Sequence, residues 1–307
     1  MRIIIAGGSG LIGSALSQYL EQDKHEVIIL SRNPAYSSRT SSGVSYFAWD
    51  GKTKQGWGKL VEGVDAIVNL AGANIAGEGF LPTRWTPERK ENIRSSRLNA
   101  GKAITEAISS AREKPVVLVQ ASGIGYYGTH GDEPIDETAA PGGDFMARLS
   151  QEWEHSTAEV EAQGVRRVVI RTGVVLSKQG GALSRLLVPY KLFLGGPLGN
   201  GRQVMSWIHI DDEIKAIRFL IDNQDAKGAY NLTAPDPVTN AEMGKQIGKI
   251  LRRPHFMPVP GFAMRWAFGE VATVVLDGQR VLPDRLLSSG FEFRYPTIEK
   301  AWVDIRW

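Results

Sequence analysis

Behind a short apolar run, Ile3-Ile4-Ile5-Ala6, the chain reads Gly7-Gly8-Ser9-Gly10-Leu11-Ile12-Gly13, a G-x-x-G-x-x-G string opening a segment with an apolar stripe. Glycines at this spacing let a chain turn sharply, bring backbone against a pyrophosphate and seat a helix on a strand, with the helix N–H groups facing the anion. The chemistry implied is the holding of a dinucleotide. The next apolar run ends Leu30-Ser31-Arg32, and Glu26 lies at its other end. A carboxylate at the Ser31 end would accept the ribose 2′-hydroxyl of NAD and repel a 2′-phosphate. Ser31 offers a hydroxyl donor and Arg32 a charge-assisted fork, so the pattern predicts NADP(H). The competing reading of Arg32 is an ordinary solvated loop residue.

Further polar groups cluster after a later apolar run. Ser122 stands just past it, where a parallel sheet binds ligands, and could polarise a carbonyl; a turn or cap hydroxyl is the plain alternative. Tyr126 and Tyr127, in a glycine-flanked loop, offer a phenol for proton transfer or simply two packed rings. His209 is a candidate for titration near neutrality, as an imidazole, but its setting between Ile208 and Ile210 favours a structural role. Lys191, Arg202 and Gln203 flank a glycine-rich segment and suit an anionic or sugar-like substrate, as surface residues also would. Trp207 either stacks on a substrate or fills a lobe interface.

The elements that must position these groups are legible. Ile3 to Ala6, Val27 to Leu30, Ala66 to Leu70, Val116 to Gln120 and Val168 to Arg171 are short apolar, mostly β-branched runs bounded by Gly, Pro, Asp or Ser. They predict buried strands of a parallel sheet. Leu11, Ile12, Ala15, Leu16, Tyr19 and Leu20 form one helix face. Thr86-Pro87-Glu88 opens a long helix, and Asp144 caps another. This strand–helix alternation predicts an α/β fold, a Rossmann-type doubly wound parallel sheet with a smaller C-terminal α/β substrate lobe. The boundaries expected are 1–172, with 206–235, for the NADP-binding domain, and 173–205 with 236–307 for the substrate lobe.

Length and composition limit the rest. With 307 residues, 36 Lys+Arg against 33 Asp+Glu, and no run of like charge, a nucleic-acid partner is not indicated, and the pI near 9.0 reflects near-balanced counts. The absence of Cys rules out disulfides, a thiolate nucleophile and Cys-ligated metal, and the five His are scattered, so no metal is expected. No segment suits a signal peptide or membrane span, which points to a cytoplasmic protein acting on a small molecule. No residue pattern argues for a homodimer.

Four strings, Gly7 to Gly13, Val68-Asn69-Leu70-Ala71-Gly72, Ser122 to Gly128 and Trp207-Ile208-His209-Ile210-Asp211-Asp212, occur in the order found in extended short-chain dehydrogenases and nucleotide-sugar epimerases. More narrowly, Arg171 to Leu176, Leu194 to Gln203 and Gly278 to Pro283 resemble the atypical "epimerase family" subgroup, which has its own small C-terminal domain and includes members with a cell-division label. The resemblance implies that Gly7, Gly10, Leu11, Ile12 and Gly13 hold the pyrophosphate and Ser31 with Arg32 the adenosine end. Leu70 and Ala71 would line the adenine and ribose path, Arg97 would reach in from the long helix, and Val174 would border the nicotinamide. Working members use Tyr and a Lys four residues later on one helix. Here Phe145 and Leu149 occupy the corresponding places, and no Y-x-x-x-K occurs in the chain.

Two functions follow from these residues. One is an NADP-dependent oxidoreductase or epimerase acting on a small carbonyl, hydroxyl or sugar-derived compound, with Ser122 orienting the carbonyl and Tyr126 or Tyr127 as acid. Without a neighbouring Lys, that phenol keeps a pKa of about 10 and is a poor base at neutral pH. The other is an NADP(H)-binding regulator with little or no turnover.

Overall fold

The computed structural model describes residues 1–32, 43–77, 79 and 81–305. Seven strands form one parallel sheet: β1 (Arg2–Ala6), β2 (Glu26–Ser31), β3 (Val44–Ala48), β4 (Ala66–Asn69), β5 (Val117–Gly123), then, beyond the short β6 (Pro134–Ile135), β7 (Arg166–Thr172) and finally β12 (Gly228–Leu232). Their order is β12-β7-β5-β4-β1-β2-β3. The helices that cover this sheet are α1 (Leu11–Gln22), α2 (Pro87–Ser110), α3 (Phe145–His155) and α5 (Ile210–Asp222). Alternate residues of the strands feed different cores. Ile3, Ile5, Val27 and Ile29 pack with Leu16, Leu20 and Ile217, whereas Ile4, Ile28 and Leu30 pack with Ile104 and Ile108. That is why the central strands β1, β2 and β4 read as apolar runs.

Between β7 and β12 the chain leaves the sheet through β8 (Val174–Ser177), β9 (Gly180–Gly181), α4 (Ala182–Lys191), β10 (Val204–Met205) and β11 (Trp207–His209). β8 pairs with β11 and β9, outside the main sheet. After β12 come β13 (Val238–Thr239), α6 (Asn240–Leu251), α7 (Gly261–Phe268), α8 (Thr273–Leu276), β14 (Arg280–Val281), α9 (Asp284–Ser288) and α10 (Ile298–Ile305). A separate core joins Leu187, Tyr190 and Trp207 to Met243, Ile247 and Trp302. Two sheet strands, β3 and β12, were not anticipated: Val-Ser-Tyr-Phe-Ala and Gly-Ala-Tyr-Asn-Leu are edge strands, whose mixed composition lacks the apolar run.

The caps explain the helix starts. Thr86 accepts from the Arg89 N–H at 3.2 Å with Pro87 in the first turn, and Asp144 accepts from Ala147 at 2.8 Å. His209 caps α5, its Nδ1 accepting from the Asp211 N–H at 3.2 Å, with its ring 2% exposed. Among the described residues no helix is long and apolar enough to cross a membrane.

Candidate functional site

β1 and β4 lie side by side, but their following connections leave in opposite directions along the sheet, which opens a crevice at their carboxyl ends. The glycine loop occupies it. Gly7 has φ +81°, and a Cβ there would stand 2.8 Å from the Leu70 carbonyl; a Cβ on Gly13 would stand 2.5 Å from the Gly7 oxygen. Those two glycines serve close packing. A Cβ on Gly10 would meet only the Gly7 oxygen, at 3.3 Å. α1 then starts without a side-chain cap and with no acid in its first turn, and Ser14 is the first residue to bond back, to Gly10 at 2.8 Å. The N–H groups of Leu11, Ile12 and Gly13 have no partner within the helix, the arrangement that receives an anion.

Two cavities meet at this point, sharing Gly7, Gly10 and Leu70. One, of about 330 Å³, runs past Ser31, Arg32, Lys52, Ala71 and the α2 side chains Asn92, Ser95, Ser96 and Asn99. The other, of about 360 Å³, runs past Leu11 to Gly13, Gly173 to Val175, and Ala182 of α4. Together they make a trough bent around the α1 N-terminus, basic at one end and apolar at the other. Asp50 also borders the basic end, but its oxygens accept from the N–H groups of Lys52 (2.7 Å) and Thr53 (2.8 Å) and from the Thr53 hydroxyl (2.7 Å). Burial works to raise its pKa, yet these bonds hold it below the usual carboxylate value. The glycine cradle and uncapped helix fit a dinucleotide pyrophosphate.

Residues 3–233 match the model of the NAD dependent epimerase/dehydratase family, and residues 259–305 match a domain of unknown function. The chain belongs to the NAD-dependent epimerase/dehydratase family. It is 40% identical to the chloroplastic epimerase family protein SDR39U1 homolog of Arabidopsis thaliana, over 98% of this chain and 85% of that protein. It is 38% identical to epimerase family protein YfhF of Bacillus subtilis, over 98% and 96%. The crystal structure of human epimerase family protein SDR39U1 (isoform 2) with NADPH superposes with a TM-score of 0.86, at 33% identity over 99% of both chains.

Within this family member, the residues expected to do chemistry are placed unevenly. Ser122, at the end of β5, is 6% exposed and donates to Glu154 Oε1 at 2.7 Å. Arg171, 5% exposed, grips the same carboxylate through Nε at 2.9 Å and a terminal nitrogen at 3.0 Å, and its other terminal nitrogen donates to the Tyr127 hydroxyl at 3.0 Å. Tyr127 donates in turn to Asn231 Oδ1 at 2.7 Å. Burial pushes the Tyr127 phenol up to about 12, against the pull of Arg171. Two of the three expected catalytic residues, Ser122 and Tyr127, thus belong to a buried hydrogen-bonded network that ties β5, β7 and β12 to α3. Tyr126 is half-buried under the Arg171 guanidinium, 3.4 Å from its ring centre, and its hydroxyl has no hydrogen-bond partner among the described residues. Phe145 packs on Trp85 at 5.2 Å between ring centres, and Leu149 is buried beside both.

Gly7, Gly10, Leu11, Ile12, Gly13, Ser31, Arg32, Leu70, Ala71 and Val174 all border the trough. Arg97 does not. It is buried behind the loop after β4, donating to the Ala73 and Ile93 carbonyls at 3.1 and 2.9 Å with its guanidinium over Trp153, and burial lowers its pKa to about 10. Trp207 is fully buried with its indole N–H on the Asp236 carbonyl at 3.0 Å, so stacking on a substrate is excluded. The Gln203 amide braces the Leu198 and Val275 carbonyls at 3.0 and 2.9 Å rather than facing a ligand. Lys191 and Arg202 are exposed and do not border the trough. The sequence reading missed Lys52 and the α2 residues; Asn92, Ser95, Ser96 and Asn99 recur at helical spacing, a polar stripe that could have been found.

One further group stands out. Glu213, in the first turn of α5, is fully buried; Oε1 accepts from the Thr172 hydroxyl at 2.8 Å and Oε2 has no partner. Burial pushes its pKa up to about 8, so it is mostly neutral at pH 7.

Proposed function

We propose that this chain binds NADP(H), in preference to NAD(H), in the bent trough and acts as an oxidoreductase or epimerase on a small carbonyl, hydroxyl or sugar-derived compound. The observation that carries this reading is the basic end of the trough: Arg32 and Lys52 border it, β2 ends on Ser31, and the nearby Asp50 is turned into its own loop. The NADPH in the human relative's structure supports the same reading. The α1 N–H groups would take the pyrophosphate, Arg32 and Lys52 the 2′-phosphate, and Val174 would flank the nicotinamide. When bound, NADP(H) supplies or accepts the hydride. Tyr126 does not line either cavity, but it is the candidate for the proton because its hydroxyl has no hydrogen-bond partner among the described residues, whereas Ser122 and Tyr127 are bonded to Glu154 and Asn231.

The test is titration with NADPH and NADH, followed by tryptophan fluorescence and melting temperature. Arg32→Ala is expected to weaken NADPH about 10- to 100-fold, the size of a lost charge-assisted contact, while leaving NADH nearly unchanged. Equal affinity for both cofactors, or none, would overturn the reading. A second reading, an NADP(H)-responsive regulator with little turnover, is favoured by the commitment of Ser122 to Glu154 and by Phe145 and Leu149 at the Tyr and Lys places. NADPH oxidation by a panel of carbonyl compounds separates the two: turnover abolished by Tyr126→Phe at unchanged NADPH affinity supports the enzyme.

A further inference from the structure

Two stretches of the second lobe, residues 179–210 and 243–269, contain eight Lys and Arg and no Asp or Glu. In a chain of 36 basic and 33 acidic residues, this leaves the remainder with an excess of acid. The two stretches are net positive because they lack acids, not because they are much richer in Lys and Arg, and the fold lays them together. The Phe256 and Met257 N–H groups both donate to the Gly195 carbonyl at 3.0 Å, Val259 donates to Pro197 at 3.0 Å, and Gly199 donates to Val259 at 2.8 Å. The Arg253 guanidinium lies 4.1 Å from the Phe193 ring centre.

On this joined surface the large apolar side chains point outward. Leu192 is 62% exposed, Phe256 64%, Phe262 78% and Trp266 81%. Phe262 and Trp266 are four residues apart on α7, hence on one face, and α7 buries none of its residues. Scattered exposed hydrophobics are ordinary, whereas a group of them on two stretches that carry basic residues and no acid of their own marks an interaction surface.

We propose that this face of the second lobe docks on an anionic lipid surface. The aromatic and Leu side chains would enter the headgroup–acyl boundary while Lys249, Arg252 and their basic neighbours meet lipid phosphates; Arg265 is paired with Asp277 at 2.6 Å and is left out. A second copy of the chain fits poorly, because a two-fold contact would set this basic field against itself. The surface adjoins the trough through α4: Ala182 at its start borders the trough, and Lys191 at its end begins the apolar group. Docking is parallel to the surface, since no described helix can span a bilayer.

Flotation of the full chain with phosphatidylcholine vesicles, and with vesicles also containing phosphatidylglycerol, tests this. Binding is expected only to the anionic vesicles, weakening as salt rises. Lys249→Ala should weaken it about fivefold, and the double variant Phe262→Ser, Trp266→Ser should abolish it, with the melting temperatures of both variants unchanged. No binding to anionic vesicles at low salt, or equal binding to both kinds, overturns the proposal. So does a concentration-dependent dimer that Trp266→Ser dissolves without any vesicle binding, or capture by soluble polyglutamate that ignores loss of the aromatics, which would mean an acidic protein partner instead.

Discussion

Removing the Tyr127 hydroxyl would leave two buried groups, Arg171 and Asn231, each short of a partner. Stranding such groups costs more than the bond itself contributes, so Tyr127→Phe should destabilise the protein by about 1–3 kcal/mol in denaturant titration while leaving NADPH affinity unchanged. Weakened binding at unchanged stability would restore Tyr127 to the site. Glu213 makes a pH-dependent prediction. Its pKa is raised from an ordinary 4.5 to about 8, so the folded chain retains a proton that the unfolded chain releases between those values. Stability should therefore fall as pH rises from about 4.5 through 8 and then level off. Glu213→Gln should flatten this profile, raising the melting temperature at pH 9 by several degrees and changing it little at pH 4.5; an unaltered profile would show that Glu213 is ionised throughout.

At the scale of elements, the turn from β1 into α1 carries two glycines with different duties. Gly13→Ala forces a methyl group against the Gly7 carbonyl and should lower stability as well as NADPH affinity. Gly10→Ala meets backbone only at 3.3 Å, so the fold should persist while the methyl group intrudes on the trough. The check is whether the two variants separate melting temperature from NADPH binding in this way. These turns were legible because strand, glycine string and helix are contiguous in sequence. The edge strands β3 and β12 were not, because edge strands need less apolar surface. Arg97 was misplaced for a related reason: helical spacing gives the face of α2 but not which face the loop after β4 covers, and that loop puts Arg97 behind the trough and Asn92, Ser95 and Asn99 along it.

For the whole molecule, the two lobes are laced rather than linked. β14 pairs with β6, Asn231 donates to the Leu282 carbonyl at 2.9 Å, and Arg285 donates to Ala229 and Lys227 at 2.5 and 2.8 Å. Unfolding should therefore be a single transition, with coincident denaturant midpoints for variants that retain Trp57 as reporter of the sheet core or Trp207 as reporter of the second lobe. Separated midpoints would show independent lobes. The sequence by itself determined the parallel α/β sheet and the phosphate loop, because each is written in a contiguous stretch whose backbone conformation follows from local residue types. It also carried the resemblance that the family match later established. Tertiary structure alone decided which hydroxyls remain available for chemistry. Ser122 is held by Glu154, 32 residues away, and Tyr127 by Asn231, 104 residues away; a polar group's chemistry depends on what faces it, and the chain brings those partners together only by folding.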